Sequence, residues 1–303
     1  RRRKEFGDAM RPVFWSRTYE LAGGVNLELG RRTLVMGILN VTPDSFSDGG
    51  RYLAVDAAVE HAVRMVEAGA DILDIGGEST RPGHEPVPAD EEIRRVIPVI
   101  RAVREALPHV PLSIDTYKAE TARKALEAGV HIINDIWGLT ADPEMARTAA
   151  EFGCPVVISH NRRETGGYAD IARDVAADLL ASVRTALDAG VDPYNIWLDP
   201  GIGFAKEYED NLDMMGRLAE LVRLGYPVLL GTSRKRFIRH TLDLPADDVV
   251  EGTAATVALG IAQGCQVVRV HDVDRIVRTV RMTDAVVYRQ ADIRGEAGVP
   301  WTK

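Results

Sequence analysis

The chain has 303 residues, of which 46% are hydrophobic and 27% are charged, as is ordinary for a soluble globular protein. Its formal net charge of −8 is the opposite of what a nucleic-acid-binding protein usually carries. No apolar run approaches the ~18–20 residues that a membrane-spanning helix needs, so we expect neither a nucleic-acid nor a membrane partner.

The N-terminal sequence RRRKEF is basic, but no apolar segment follows it as in a secretory signal. The two cysteines, Cys154 and Cys265, have no partner at metal-ligand spacing and lie beside apolar segments, as small buried hydrophobic residues do. We therefore expect a cytoplasmic protein that needs no disulfide bond.

Residues 1–33 contain scattered aromatic residues and a glycine pair, which indicate an N-terminal extension with one short hairpin. From Leu34 onward, short apolar runs alternate with glycine-bearing loops and helix-period segments. The apolar runs, predicted to be β-strands, are LVMGIL (34–39), DILDIG (71–76), PLSID (111–115), HIIND (131–135), PVVIS (155–159), NIWLD (195–199), PVLLG (227–231) and QVVRV (266–270). The clearest predicted helices are 55–68, 89–106, 117–128, 171–189 and 209–224.

Three predicted helices end in Ala-Gly, at Gly69, Gly129 and Gly190, and glycine is the expected helix stop. Apolar strands that alternate with helices predict a parallel sheet covered on both faces. Eight such units within residues 34–290 favour a single (β/α)8 TIM barrel, followed by a C-terminal tail at 291–303. A doubly wound open sheet is the alternative fold.

The active site of such a barrel lies at the C-terminal ends of its strands, and here every predicted strand ends in polar or charged residues. They are Asn40; Glu78, Thr80 and Arg81; Asp115; Asn134 and Asp135; Ser159, His160 and Asn161; Asp199; Ser233 and Lys235; Arg269 and His271. For the aspartates there is a simpler alternative, because Asp also caps helices and forms turns. It applies to Asp115, Asp135 and Asp199.

Two groups stand out among these residues. Asp115, Asn134 and Asp199 offer hydrogen-bond acceptors and an amide, which suit the donor edge of a flat heterocycle. The second group is polar or cationic and comprises Asn40, Lys235, Arg269 and His271. Strands seven and eight form the usual phosphate-binding corner of this fold, so we expect an anionic, phosphorylated substrate.

Arg269 interrupts an otherwise apolar strand, where a charged residue needs a partner or a functional role. The alternative for both Lys235 and Arg269 is a surface salt bridge. The loop NVTPDSFSDGG (40–50) is rich in Asp, Ser and Gly and is predicted to be a lid over the barrel mouth. Within it, Phe46 either covers a ligand or packs on the rim.

Seven motifs, in this order and spacing, resemble those of the dihydropteroate synthase family: MGILNVTPDSFSDGG, DIGGESTRPG, SIDTYK, INDIWG, LDPGIGF, TSRKRF and VRVHDV. The resemblance runs from Leu34 to about Tyr288, and the first two motifs are its most specific part. It implies that the chain joins 6-hydroxymethyl-7,8-dihydropterin diphosphate to 4-aminobenzoate with release of pyrophosphate. It also implies a Mg²⁺ cofactor and a homodimer.

The resemblance also implies roles for individual residues. The pterin would be held by Asp115, Asn134, Asp199 and Lys235. The diphosphate would be bound by Asn40, Arg269 and His271, with Asn40 also near the Mg²⁺ ion and Thr80 contacting the diphosphate or the pterin. The 4-aminobenzoate pocket would be shaped by Phe46, Arg81, Pro82, Phe204 and Lys235. The expected catalytic residues are Asp115, Asp199, Lys235, Arg269 and His271.

The chain departs from the family pattern at Ser159, where many members have methionine, and the loop NRRETGG (161–167) has no assigned role. Two other functions remain open. One is a methyltransferase that uses methyltetrahydrofolate, which would share Asp115, Asn134 and Asp199 but needs neither Mg²⁺ nor the anion-binding group. The other is a catalytically silent pterin-binding homologue.

Overall fold

The computed structural model describes residues 11–41, 51–79 and 85–294. Three short strands lie outside the barrel: β1 (Val13–Trp15), β2 (Arg17–Leu21) and β3 (Val25–Leu29). The barrel strands are β4 (Leu34–Asn40), β5 (Ile72–Gly76), β6 (Leu112–Asp115), β7 (Ile132–Asp135), β8 (Val156–Ser159), β9 (Ile196–Asp199), β10 (Leu229–Leu230) and β11 (Val267–Val270). The last strand is β12 (Asp292–Arg294).

The helices of the described residues are α1 (Arg51–Ala68), α2 (Ala89–Ala106), α3 (Ala119–Glu127), α4 (Met145–Phe152), α5 (Ile171–Asp188), α6 (Tyr208–Gly216), α7 (Leu218–Val222), α8 (Arg236–Leu242), α9 (Val250–Ala262) and α10 (Val273–Val287). In the part of the chain that the structure covers, no helix combines the length and apolar character needed to cross a membrane.

The barrel is a single parallel sheet with the strand order β10-β11-β4-β5-β6-β7-β8-β9. A bridge between Leu198 and Val228 joins the two ends of this order and closes it. The predicted (β/α)8 TIM barrel is therefore confirmed, and the open-sheet alternative is wrong. Gly69, Gly129 and Gly190 follow their helices with φ angles of 115°, 113° and 95°, which explains the Ala-Gly helix ends.

Side chains alternate along each barrel strand between the helices and the lumen. The outward side chains belong to the large core between sheet and helices, with Ile75, Ile114 and Ile133 as examples. The inward side chains near the strand starts form a second apolar cluster, which contains Leu34, Met36, Ile72, Ile132, Val157, Trp197, Leu229 and Val267. The lower lumen is therefore filled and dry, and a ligand can enter only from the opposite end.

The predicted hairpin in the N-terminal extension is present as β2 and β3, which pair antiparallel. Its buried residues Tyr19, Leu27 and Leu29 pack against the lower lumen cluster. The Trp197 indole donates to the Tyr19 hydroxyl over 2.9 Å. The hairpin therefore plugs the N-terminal end of the barrel. Beside it, β1 pairs with β12, so the predicted extension and the start of the predicted tail are joined.

The single helix predicted over 209–224 is wrong, because the chain forms two helices there, α6 and α7. Arg217 lies between them with φ −127° and ψ 20°, which is outside the helical region. Its guanidinium reaches Asp170 on one side and Glu220 on the other. The break follows Gly216, a residue with poor helix propensity.

Candidate active site

Above the apolar cluster, the inward positions of the strands are polar. Strand alternation places Asp74 one step above Ile72, Asn134 above Ile132, Asp199 above Trp197 and Arg269 above Val267. Register pairs Gly76 with Asp115 on the neighbouring strand. The predicted strand-end residues of β6, β7, β9 and β11 therefore converge on one polar layer at the C-terminal mouth.

An ion network crosses this layer. The Arg269 guanidinium donates from Nε to Asp74 Oδ2 over 2.6 Å and from Nη2 to Asp115 Oδ2 over 2.8 Å. The Asn134 amide also donates to Asp74 Oδ2, over 3.0 Å. Although burial opposes it, the carboxylates of Asp74 and Asp115 hold the pKa of Arg269 above its ordinary value. Arg269 is thus an internal cation with partners, and the surface salt bridge is excluded.

Several acceptors of the layer are buried without a hydrogen-bond partner among the described residues. They are Asp74 Oδ1, Ser113 Oγ, Asp115 Oδ1 and Asn134 Oδ1. A buried acceptor without a partner is costly, so this group favours a ligand that brings its own N–H donors. Burial raises the pKa of Asp115 to about 7, although Arg269 opposes the shift.

The aspartates differ in how far they serve local structure. Asp135 accepts from the backbone N–H groups of Trp137 and Leu139, both over 2.9 Å, so the turn alternative is confirmed for this residue. Asp199 Oδ1 likewise accepts from Gly201 N, over 2.7 Å. Asp115 instead pairs with Arg269, and the helix after β6 has Lys118 at its N-cap. Capping therefore does not explain Asp115.

Lys235 lies beside this layer, close enough to Asp199, Arg269 and Asp115 for electrostatic interaction. Its ammonium donates to the carbonyl of Ile202 and lies 4.6 Å from the centre of the Phe204 ring. A Cβ added to Gly231 would lie 3.9 Å from both Lys235 Nζ and Arg269 Cβ, so the Lys235 ammonium lies near the start of the Arg269 side chain. Burial lowers the pKa of Lys235 to about 8, although Asp199 opposes the shift.

Hydrogen bonds and an ion pair also connect the segments that follow β10 and β11. The Ser233 hydroxyl accepts from His271 N over 3.1 Å and shares a 2.8 Å hydrogen bond with His271 Nδ1. Next to it, the Arg234 guanidinium forms a bidentate ion pair with Asp272, with distances of 3.0 and 2.6 Å. These contacts fix His271 at the mouth, on the same side as Lys235 and Arg269.

Asn40 ends β4 and is exposed at the mouth. Its Oδ1 would be 3.6 Å from a Cβ on Gly76, and Asp115 Cβ would be 3.5 Å from the same point. The remaining predicted site residues, Phe46, Thr80, Arg81 and Pro82, lie outside the described residues, as does most of the predicted lid.

Sequence reasoning missed Asp74, which is buried and binds two of the predicted residues. Its signal is an acidic residue at an inward position of the apolar run DILDIG. It also missed Lys206, a buried lysine after LDPGIGF that contacts His160. Ser159, the departure from the family pattern, is buried, and its hydroxyl has no hydrogen-bond partner among the described residues.

Comparison with known proteins places this site in a family. The model of the pterin binding enzyme family matches residues 36–271. The dihydropteroate synthase of Bacillus subtilis is 58% identical over 261 residues, which cover 86% of this chain and 91% of the relative.

Two solved structures are similar in fold as well. The dihydropteroate synthase of Clostridium difficile, determined in the presence of pteroic acid, is 50% identical with a TM-score of 0.82, covering 85% of this chain and 98% of the other. The Xanthomonas albilineans enzyme with 4-aminobenzoic acid is 43% identical with a TM-score of 0.84, covering 89% and 98%. The chain therefore belongs to the dihydropteroate synthase family of pterin-binding transferases.

Proposed function

We propose that this chain condenses 6-hydroxymethyl-7,8-dihydropterin diphosphate with 4-aminobenzoate, giving 7,8-dihydropteroate and pyrophosphate. The observation that carries the proposal is the set of buried acceptors without partners among the described residues of the barrel mouth, next to the cations Arg269 and Lys235. Asp115 Oδ1 and Asn134 Oδ1 accept from the donor edge of the pterin, and Asp199 accepts beside them.

The reaction breaks the bond between the pterin methylene carbon and the diphosphate oxygen, and the electron pair leaves with the diphosphate. The 4-aminobenzoate nitrogen forms the new bond to that carbon and then loses a proton. An aniline nitrogen is nucleophilic at neutral pH, so no strong general base is needed. Arg269, His271 and Lys235 neutralise the leaving anion, while carboxylates near the ring favour the cation that develops on the pterin.

A divalent metal fits this site. Mg²⁺ keeps several waters and binds through one or two protein oxygens together with substrate phosphates, and Asn40 offers one amide oxygen at the mouth. The described residues contain no cluster of three or more His, Cys, Asp and Glu side chains that could hold a metal without the substrate. We infer that Asn40 helps to hold Mg²⁺, which when bound would neutralise the diphosphate.

We also propose a homodimer in the cytoplasm. Leu259 on α9 and Met282 and Val286 on α10 have exposed fractions of 57%, 66% and 55%, and the two helices pack against each other. Exposed apolar residues on neighbouring helices support a covered surface. The cytoplasmic location is supported by the free buried thiols of Cys154 and Cys265. Met282→Glu should convert the dimer to a monomer in light scattering.

The test of the proposed activity is mass-spectrometric detection of dihydropteroate from both substrates. Formation of dihydropteroate by the wild type, and its loss in Lys235→Met, supports the proposal. If 6-hydroxymethyl-7,8-dihydropterin diphosphate binds but no dihydropteroate forms, the chain is a silent homologue. If methyltetrahydrofolate instead loses its methyl group to a corrinoid acceptor, the methyltransferase alternative is right.

A further inference from the structure

The loop 161–167 packs against the turn that follows β9. The carbonyl of Ala205 accepts from Gly166 N over 3.0 Å and from the Tyr168 hydroxyl over 2.8 Å. The guanidinium of Arg162 lies 4.5 Å from the centre of the Tyr168 ring. A segment with no role in the polar layer thus supports the turn at 199–206.

The side chain of Lys206 binds two backbone carbonyls of this turn. It is buried, with 7% exposed, and its ammonium has an acceptor for each of its three protons. These acceptors are His160 Nδ1 at 2.8 Å, the Gly201 carbonyl at 3.0 Å and the Phe204 carbonyl at 3.2 Å. Burial lowers the pKa of Lys206 to about 7, although Asp199 opposes the shift, so the charged form depends on this full set of acceptors.

His160 is fixed in turn by its second nitrogen. Its side chain is completely buried, and Nε2 lies 3.0 Å from Asp178 Oδ2. An ammonium can only donate, so His160 Nδ1 accepts and Nε2 carries the proton that is donated to Asp178. The same Asp178 oxygen accepts from Arg162 Nε over 2.7 Å. A continuous chain of hydrogen bonds therefore runs from Arg162 through His160 to the turn.

The turn needs this support because its backbone is unusual. Gly201, Gly203 and Ala205 have φ angles of 67°, 84° and 52°, and for the alanine such a conformation costs on the order of 1 kcal/mol. A Cβ at Gly201 would lie 1.8 Å from the His160 carbonyl oxygen. Lys206 binds the carbonyls at both ends of the 201–204 segment, so it sets where the Phe204 side chain begins.

We propose that Lys206, held by His160, is a positioning residue for the 4-aminobenzoate side of the active site and acts through Phe204. The inference rests on the proposed function, in which Phe204 shapes the 4-aminobenzoate pocket. The pterin side also contacts this turn, through Gly201 N on Asp199 Oδ1, but it has a second support that does not involve Lys206: Asp199 belongs to β9, and its carbonyl accepts from His160 N over 2.9 Å. Loss of the Lys206 ammonium should therefore affect the two substrates unequally.

The experiment is steady-state kinetics of Lys206→Met in the full chain, with both substrates varied. Since misplacement of about 1 Å can cost up to ~100-fold, we expect the KM for 4-aminobenzoate to rise about tenfold or more. The KM for the pterin diphosphate should change less than about twofold. Lys124→Met, the same substitution at a lysine with half of its side chain exposed, is the matched control.

A double-mutant cycle with Phe204→Leu separates positioning from general destabilisation. If Lys206 acts through Phe204, Lys206→Met adds little to the KM for 4-aminobenzoate once Phe204 is replaced. Additive effects, or an equal rise in both KM values, would overturn the inference. If Lys206→Met does not fold, Lys206→Gln, which keeps two donors, is tested for the same unequal effect. Absence of dihydropteroate from the wild type would instead refute the proposed function.

Discussion

Replacing Asp115 by Asn tests the pterin-binding layer with a minimal change of shape. The side chain is 4% exposed, with Oδ2 on the Arg269 guanidinium and Oδ1 without a partner among the described residues. Asn removes the charge, and its NH₂ group replaces one of the two acceptor oxygens, so it faces a donor either on Arg269 or on the pterin. A hydrogen bond with a charged partner contributes about 1.5–3 kcal/mol, so the pterin should bind about 10- to 150-fold more weakly.

The assay is calorimetric titration with 6-hydroxymethyl-7,8-dihydropterin. This ligand lacks the diphosphate, so neither diphosphate ionisation nor Mg²⁺ binding contributes to the pH dependence. The pKa of Asp115 in the free protein is raised to about 7 by burial. A bound pterin donor favours the carboxylate and lowers this pKa. Affinity should therefore be highest above pH 7 and fall as the pH drops below it, by up to about tenfold per unit.

In Asp115→Asn this pH dependence should disappear together with the affinity. Asp188→Asn, which changes an exposed carboxylate at the end of α5, is the control and should bind like the wild type. If Asp115→Asn binds the pterin as tightly as the wild type does between pH 6 and 8, the assignment of Asp115 as a pterin acceptor is refuted.

Three further predictions follow from the same geometry. Asp74→Ala leaves the Arg269 guanidinium with a single carboxylate, so the free energy of unfolding in urea should fall by about 3 kcal/mol; a loss below ~1 kcal/mol contradicts the network. A Cβ at Gly167 would meet no atom within 4 Å, so Gly167→Ala should lower the free energy of unfolding by about 1–2 kcal/mol only because its φ is 75°. Gly201→Ala should cost at least ~2 kcal/mol more in thermal unfolding, because its Cβ overlaps a carbonyl oxygen; equal losses would show that φ alone matters. Lys235→Met should lower kcat about 100-fold or more, and an unchanged kcat would remove Lys235 from the site.

The barrel and most residues of its polar layer, with the exception of Asp74, were predictable because they depend on local patterns. Apolar runs, Ala-Gly helix ends and the strand-end position of Asp115, Asn134 and Asp199 are read over a few residues. The fold then brings every strand end to one mouth. The position of these residues at the ends of strands therefore predicted that they lie together at the barrel mouth, but not which side chains contact each other.

The contacts between distant segments could not be predicted in this way. Arg269 meets Asp74 only because β11, β4 and β5 are neighbours in the closed barrel, although the residues are 195 positions apart. The contacts of Lys206 with His160, Gly201 and Phe204 depend likewise on two loops that meet above β8 and β9. From the sequence alone, Lys206 is expected to be an exposed surface residue. Only the structure shows that it contacts the completely buried His160 side chain.

The most direct test of the central claim is pyrophosphate release from 6-hydroxymethyl-7,8-dihydropterin diphosphate with Mg²⁺, measured with and without 4-aminobenzoate. A site that binds the pterin in the polar layer and neutralises the leaving diphosphate predicts release that depends on 4-aminobenzoate and equals the dihydropteroate formed. Tight binding of the pterin diphosphate without any release, or release that ignores 4-aminobenzoate, would contradict the account.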